Sequence, residues 1–271
     1  MSEQTPVADV TLSIRGLSIA LPRGADRSHA VQGVDLDVPR GQVVCLVGES
    51  GSGKSMVAHA VMGLLPPGVR VDCGSIHLQD EALVDAPAAH LRRLRGTRMA
   101  MVFQEPMTAL NPVLTCGEQV DELLALHTDL PRAGRRARVI EMLARVQLPD
   151  PPRLYSAYPH QLSGGQRQRV MIAMALILKP ALLIADEPTT ALDVTTQASI
   201  LELVRHLQHE HDTAVLFITH DFGVVADIAD GVAVLERGRL VESGSARDVL
   251  HRPRHPYTQA LLKAVPTLTP R

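Results

Sequence analysis

The chain has 271 residues, a formal net charge of −2 at pH 7 and 45% hydrophobic residues. That length supports one large domain, or a core with an insertion, and the apolar content argues against disorder. Three scattered cysteines (Cys45, Cys73 and Cys116) and the near-neutral charge exclude a disulfide framework, a cysteine metal site and a strongly basic nucleic-acid-binding chain, and they fit a reducing, cytosolic compartment.

The N-terminus, "MSEQTPVADV", lacks the basic start and apolar stretch of a secretory signal. The first sharp signal is "QVVCLVGESGSGKS", which reads as a buried strand, a Gly-rich turn and a helix start. Its turn runs Gly48, Glu49, Ser50, Gly51, Ser52, Gly53, Lys54, Ser55 and fits G-x-x-x-x-G-K-[ST]. Glycines let the backbone curl so that its N–H groups face a β-phosphate. Lys54 reaches the β- and γ-phosphates as a point charge, and Ser55 presents a hydroxyl to Mg²⁺. The strand before and the helix after argue against a plain Gly/Ser linker.

A second apolar run, "MAMVF" (99–103), ends at Gln104. From about 112 to 178 the pattern changes to helices, at roughly 117–127, 134–147 and 165–178, broken by "PDPPR". We read this stretch as an all-helical insertion between two sheet strands. Its last helix opens at "LSGGQRQRVMIAMAL" (162–176). Gly-rich backbone ahead of a helix is a ready anion site, yet this second site carries no lysine of its own. The longest clean apolar run, Val170–Leu178, is too short to cross a bilayer, which takes about 20 residues. A soluble protein is expected, able to dock on a membrane protein.

"ALLIADEP" then delivers Asp186 at a strand's carboxyl end, where α/β sheets place ligands. Asp186 suits Mg²⁺, and Glu187 suits the orientation and deprotonation of an attacking water. "TTQASILELVRHLQHEH" (195–211) is a helix; its His206, His209 and His211 read as a solvated helix end, since nothing completes a closed metal site. "AVLFIT" (214–219) is a strand ending at His220. Gln104 and His220 thus end neighbouring strands at the nucleotide edge. Gln104 is placed on Mg²⁺ or the water, and His220 on the γ-phosphate. "GVAVLERGRLVESG" (231–244) predicts a hairpin turning at Arg237-Gly238. The last residues, with four prolines and one short amphipathic stretch, read as an exposed appendage. Strands alternating with helices indicate an α/β fold with a mainly parallel sheet.

Gly48–Ser55, Gln104, "LSGGQ" (162–166), "LLIADE" (182–187), "ALD" (191–193) and His220 stand in the order found in ABC-type ATPases. The chain resembles the nucleotide-binding subunit of an ABC transporter over nearly its whole length. That resemblance implies a P-loop NTPase with a RecA-like core and parallel sheet, an N-terminal antiparallel β part and an inserted helical subdomain. It divides the chain into an ATPase domain at 1–250 (core about 8–111 and 179–250, insertion about 112–178) and an appendage at 251–271. ATP and Mg²⁺ are the implied ligands. The implied catalytic set is Lys54, Gln104, Glu187 and His220, with Ser55, Gln104 and Asp186 on the metal. Two such domains, identical or not, are expected to dimerise head to tail, each "LSGGQ" capping the ATP on its partner's P-loop. Ser163, Gly164, Gly165 and Gln166 form that cap, with Ser163 and Gly165 donating to the γ-phosphate. Asp193 links the two sites. The second site needs no lysine because its phosphate arrives with the partner subunit's Lys54.

"VFQEPMTALNP" (102–112), "YPHQLSGGQRQRVMIAMAL" and "HPYTQALLKAVP" (255–266) narrow the resemblance to the peptide and nickel importer ATPases of the dipeptide and oligopeptide permease group. The implied partners are two transmembrane permease subunits, faced by Gln104 to Pro112, and an extracytoplasmic solute-binding protein, with no nucleic acid. The implied place is peripheral, on the cytoplasmic face of a bacterial inner membrane. The alternatives are a non-transport ABC ATPase working on ribosome or nucleic acid, which a basic patch or coiled-coil arm would favour, and a P-loop kinase or GTPase, which "LSGGQ" opposes. Two features depart from the group. All six aromatic residues lie at Phe103 or later, so no aromatic precedes the P-loop to stack adenine; Leu21 falls near the expected place and His29 is the only nearby ring. Nor is there a C-terminal cysteine cluster, so no iron–sulfur centre is expected, and the chain is either whole or one half of a tandem ATPase.

Overall fold

The structure is a computed structural model and describes residues 9–103, 109–190 and 192–264. Alternation of apolar and polar residues forms Val10–Ala20 (β1) and His29–Pro39 (β2), an antiparallel pair. β1 also pairs antiparallel with Arg70–Leu78 (β4), which turns back through the two-residue strand Glu81–Ala82 (β5). The resulting sheet has the order β2-β1-β4-β5.

The second sheet is built on continuous apolar runs, as strands covered on both faces require. Val43–Val47 (β3), Met99–Val102 (β6), Leu182–Asp186 (β7), Ala214–Thr219 (β8) and Gly231–Glu236 (β9) run parallel, and Arg239–Ser245 (β10) closes one edge antiparallel to β9. The order is β10-β9-β3-β8-β7-β6. The expected hairpin turns at Arg237 and Gly238, both at positive φ (48° and 84°), as a tight two-residue hairpin turn demands.

Strand alternation sorts the side chains into two cores. Val43, Cys45, Val47, Leu183, Ala185, Val215 and Phe217 face one core; Val44, Leu46, Leu182, Ile184, Leu216 and Ile218 face the other. The second core is shared with β1, β2, β4 and the helix Lys54–Met62 (α1). Ala88–Leu94 (α2) covers its edge with Leu91 and Leu94.

Among the described residues between β6 and β7, every regular element is helical: Cys116–His127 (α3), Arg132–Arg145 (α4), Pro151–Tyr155 (α5), a 3₁₀ turn at Pro159–Gln161 and Gly164–Leu176 (α6). The proline break falls where expected, with Asp150 capping α5 and Pro151 opening it. Val194–His211 (α7) and Phe222–Ile228 (α8) pack on the first core through Ile200, Leu203, Leu207, Val224 and Val225.

The C-terminal segment departs from the expected exposed appendage. Ala246–His251 (α9) and Pro256–Lys263 (α10) dock on the first core through Val249, Tyr257, Leu261 and Leu262, and Thr258 is fully buried. The amphipathic stretch is short, but its prolines end and start helices rather than keep the chain extended. Pro256 sits in the first turn of α10, where its missing N–H costs nothing.

Candidate functional site

The carboxyl ends of β3, β7 and β8 lie side by side because these strands are parallel neighbours. The segments leaving those ends therefore converge. Gly48–Ser55 succeeds β3, Glu187 succeeds β7 and His220 succeeds β8. All of these but Ser52 line one cavity of about 700 Å³ with Leu21, Asp26, Arg27, Ala30, Thr190, Phe222 and Leu261.

The loop's shape is forced by close backbone contacts. Gly48 has φ 154° and Gly53 φ 111°. A Cβ at Gly48 would fall 2.2 Å from the Leu235 carbonyl oxygen, and one at Gly53 2.6 Å from that of Ala30. Only glycine fits either position. Gly53 leads into α1 with no side-chain cap, so no side chain occupies the first-turn N–H groups, and the Met56 N–H turns back to the Gly53 carbonyl at 3.1 Å. Lys54 is 4% exposed and donates from Nζ to the Gly48 and Glu49 carbonyl oxygens at 2.8 and 2.9 Å. An ammonium has three donors, which leaves one for a phosphate oxygen. Burial pushes Lys54 below its ordinary pKa, while Glu187 and Asp186 oppose that shift.

The loop is joined to β7 by Ser55 Oγ, which donates to Asp186 Oδ1 at 3.2 Å. Burial pushes the Asp186 carboxyl above the usual range, partly offset by the Ser55 hydrogen bond. A buried carboxylate beside a hydroxyl is a pair of hard oxygen donors, the chemistry a Mg²⁺ ion takes. Glu187 holds a left-handed backbone, φ 46°, uncommon for a residue with a side chain. Its Oε2 accepts from Thr190 Oγ1 at 3.1 Å, and its Oε1 lies 3.3 Å from His220 Nδ1. Both carboxylate oxygens are thereby held in place beside the cavity. Gln104 lies outside the described residues.

The "LSGGQ" residues stand elsewhere. None of Leu162–Gln166 lines this cavity. Ser163 is the N-cap of α6: its Oγ accepts from Gln166 N at 3.3 Å and Gln166 Oε1 accepts from Ser163 N at 3.0 Å, a reciprocal capping box. Asp193 caps α7, accepting from Thr196 N at 3.0 Å and from its hydroxyl at 2.7 Å. These hydrogen bonds hold its carboxyl below the usual range. The two caps meet, because a Cβ on Gly165 would lie 2.6 Å from Thr196 Cγ2.

Three residues around the phosphate loop and its cavity escape a sequence reading. Arg27, in the β1–β2 connection, donates from Nη2 to the Gly51 carbonyl at 2.6 Å; nothing in its local sequence marks it. Tyr257 accepts from the Glu49 N–H at 3.1 Å, and Leu261 lies one helical turn further along α10. The "HPYT" motif is visible as a family marker, but its contact spans 208 positions, beyond any local pattern. Of the two adenine-side residues considered, Leu21 lines the cavity, whereas His29 is 3.3 Å from Asp72.

Residues 31–190 match the ABC transporter family. The chain belongs to that family. Residues 241–271 of this ABC chain also match the C-terminal region of oligopeptide/dipeptide transporters. It is similar to the glutathione import ATP-binding protein GsiA of Salmonella typhimurium, 51% identical over 273 residues, which cover 98% of this chain and 44% of that protein. GsiA of Escherichia coli O1:K1 is 50% identical over the same lengths. The chain thus spans about 44% of the length of the curated relatives it matches. Among solved structures, the dimeric ATP-binding cassette MJ0796 in a post-hydrolysis state bound to ADP and Pi superposes with a TM-score of 0.77 at 29% identity, covering 87% of this chain and 99% of that one. CbiO1 of Clostridium perfringens, part of the ABC transporter complex cbiONQ, gives 0.77 at 29% identity over 90% and 92%. The architecture is therefore that of an ABC cassette.

Proposed function

We propose that the chain is the ATP-hydrolysing, nucleotide-binding subunit of an ABC importer for short peptides or related small solutes. The observation that carries the ATPase reading is the Ser55–Asp186 hydrogen bond at 3.2 Å. It ties the phosphate loop to the acid of β7 beside the cavity that Glu187 and His220 line. In this reading the loop N–H groups and Lys54 hold the β- and γ-phosphates. Ser55 and Asp186 would hold Mg²⁺, with Gln104 as a further ligand; the ion supplies charge neutralisation on the phosphate oxygens. Glu187 orients a water in line with the γ-phosphorus and takes its proton, and His220 donates to the γ-phosphate. The geometry at Glu187 supports this role, since Thr190 and His220 fix both carboxylate oxygens. Catalysis then rests on positioning and charge stabilisation.

The active unit is a head-to-tail dimer in which Ser163, Gly164, Gly165 and Gln166 cap the partner's ATP and Asp193 relays between the sites. The separation of "LSGGQ" from its own cavity supports that arrangement, and the MJ0796 cassette is named as dimeric. Import, rather than work on ribosome or nucleic acid, is supported by the match at 241–271 and by relatives named for glutathione import. The partners are then a second ABC ATPase, two transmembrane permease subunits and an extracytoplasmic solute-binding protein. The protein sits on the cytoplasmic face of a bacterial inner membrane.

The purified chain is expected to hydrolyse ATP in a Mg²⁺-dependent manner and to lose both binding and hydrolysis as Lys54→Ala. Absence of ATP binding by the wild-type chain would overturn the ATPase reading. Copurification of a tagged chain with a membrane permease tests the importer assignment separately.

A further inference from the structure

We infer that Tyr257 is a positioning residue for the phosphate loop, and that α10 is a working wall of the nucleotide cavity. The inference rests on the nucleotide-binding reading above. Two contacts carry it. The Tyr257 hydroxyl accepts the Glu49 N–H at 3.1 Å, and Leu261 lines the same cavity as Gly48, Lys54, Glu187 and His220.

Glu49 is the hub of the loop. Its carbonyl accepts from Ser52 N at 3.2 Å and from Lys54 Nζ at 2.9 Å. A peptide unit is rigid, so the group that holds the Glu49 N–H also orients the Gly48 carbonyl of the same unit, which accepts from Lys54 Nζ at 2.8 Å. Tyr257 therefore fixes, at one remove, an oxygen that orients the Lys54 ammonium. This is a contact to the loop's entry, where the chain leaves β3, and it uses none of the first-turn amides of α1.

α10 is itself held firmly enough to act as a strut. Glu242 of β10 accepts from Arg254 N and His255 N at 2.7 and 3.0 Å. His255 caps the helix by accepting from Tyr257 N at 3.3 Å, and Gln259 donates to the Pro253 carbonyl at 3.0 Å. Thr258, next to Tyr257, is wholly shielded from solvent. The hydroxyl of Tyr257 thus reaches the loop from an anchored base. Because coupling between two sites is reciprocal, nucleotide bound at the loop must in turn strengthen the docking of α10.

The test compares wild type with Tyr257→Phe, which keeps the ring packing and deletes the acceptor. Binding of ATP and ADP is measured in EDTA to prevent hydrolysis, and amide hydrogen exchange is followed at Glu49 without nucleotide and along α10 with and without it. The expected result is faster exchange at Glu49, an ATP Kd weakened about three- to tenfold, as loss of one neutral hydrogen bond gives, and α10 amides that become more protected when nucleotide binds. Leu261→Ala should weaken nucleotide binding while Glu49 exchange stays unchanged. Lys263→Ala, at an exposed position on α10 that neither contact uses, should alter neither. Wild-type affinity and wild-type Glu49 exchange in Tyr257→Phe would overturn this inference alone. A wild-type chain that binds no nucleotide would overturn the nucleotide reading and this inference with it. Should Tyr257→Phe fail to fold, unchanged α10 protection on nucleotide binding in wild type overturns the inference, and increased protection supports it.

Discussion

Glu187 stands with a left-handed φ of 46° and both carboxylate oxygens engaged. Such a conformation costs about 1 kcal/mol or more and is kept where the surroundings impose it. Glu187→Gln preserves the shape and removes the base. We expect ATP binding to persist, turnover to fall about 10²- to 10⁴-fold, and an ATP-bound dimer to accumulate on gel filtration; normal turnover would remove Glu187 from its role. A second residue-scale prediction concerns the base. The β1–β2 side of the cavity offers Leu21, Asp26, Arg27 and Ala30, none of them aromatic. A stacked ring is worth about 1 kcal/mol, so competition binding should show ATP favoured over GTP by less than about tenfold. A preference near a hundredfold would point to a specific adenine contact. The thiols give a third. Cys45 and Cys116 are buried and Cys73 is exposed. Burial pushes the Cys116 thiol up to about 11 and that of Cys45 higher still, so neither carries appreciable thiolate near neutrality. Iodoacetamide should label one thiol in the native protein and all three after denaturation. Native labelling of Cys116 would show that its burial is transient.

At the scale of elements, the start of α6 separates two glycines that look equivalent in sequence. A Cβ on Gly164 meets nothing closer than Leu192 Cδ2 at 4.0 Å, whereas one on Gly165 falls 2.6 Å from Thr196 Cγ2. Gly164→Asp is the clean probe. A carboxylate in the first turn suits the helix itself, yet it repels a phosphate brought by a partner. Monomer ATP binding should stay within about threefold of wild type, while dimerisation and hydrolysis fall by at least about tenfold, since like charges in a dry interface oppose each other by several kcal/mol. Gly165→Asp should lose the same functions and also thermal stability, because Thr196 must move. If Gly164→Asp abolishes ATP binding by the monomer, "LSGGQ" serves its own chain's nucleotide. Much of this element-level organisation is legible in the sequence. β3 and β8 occupy their expected ranges, Val43–Val47 and Ala214–Thr219, because continuous apolar runs bounded by turn residues leave little freedom. The helical insertion is legible because its periodicity is long and its breaks carry prolines. The hidden part depends on distance along the chain: Arg27 on Gly51, Tyr257 on Glu49 and the packing of Gly165 against Thr196 are tertiary contacts with no local periodicity. The docking of α10 is hidden for another reason, since prolines that start and end helices look, in sequence, like those of an extended tail.

For the whole molecule, two cores on opposite faces of one parallel sheet make the sheet the common floor of the phosphate loop and the helical insertion. Mixing experiments address the assembly at this scale. Subunits carrying Lys54→Ala combined with subunits carrying Gly164→Asp should recover part of the hydrolysis that neither shows alone, since one composite site in each mixed dimer keeps an intact lysine and an intact cap. Recovery measured by phosphate release, absent in either pure variant, is the expected outcome; no recovery at any ratio would mean that both sites must be intact together. The sheet order has a different consequence, in the timing of synthesis. β3 carries the phosphate loop and is made early, yet its neighbours are β8 and β9. Gly238, in the turn after β9, donates its N–H to the Ser52 carbonyl at 2.8 Å, and its own carbonyl accepts from Gln32 N at 2.8 Å. On the ribosome, the segment "VVCLV" must therefore wait, unpaired and apolar, until β8 (Ala214–Thr219) has been made, and its second neighbour comes only with β9 (Gly231–Glu236). Such late pairing of an early strand is slow, and it leaves a sticky edge open meanwhile. A nascent chain halted before β8 holds a complete phosphate-loop sequence with neither neighbouring strand yet made. The loop's contacts with Gly238 and Tyr257 come later still, so the phosphate loop is made early and its backbone contacts are completed late.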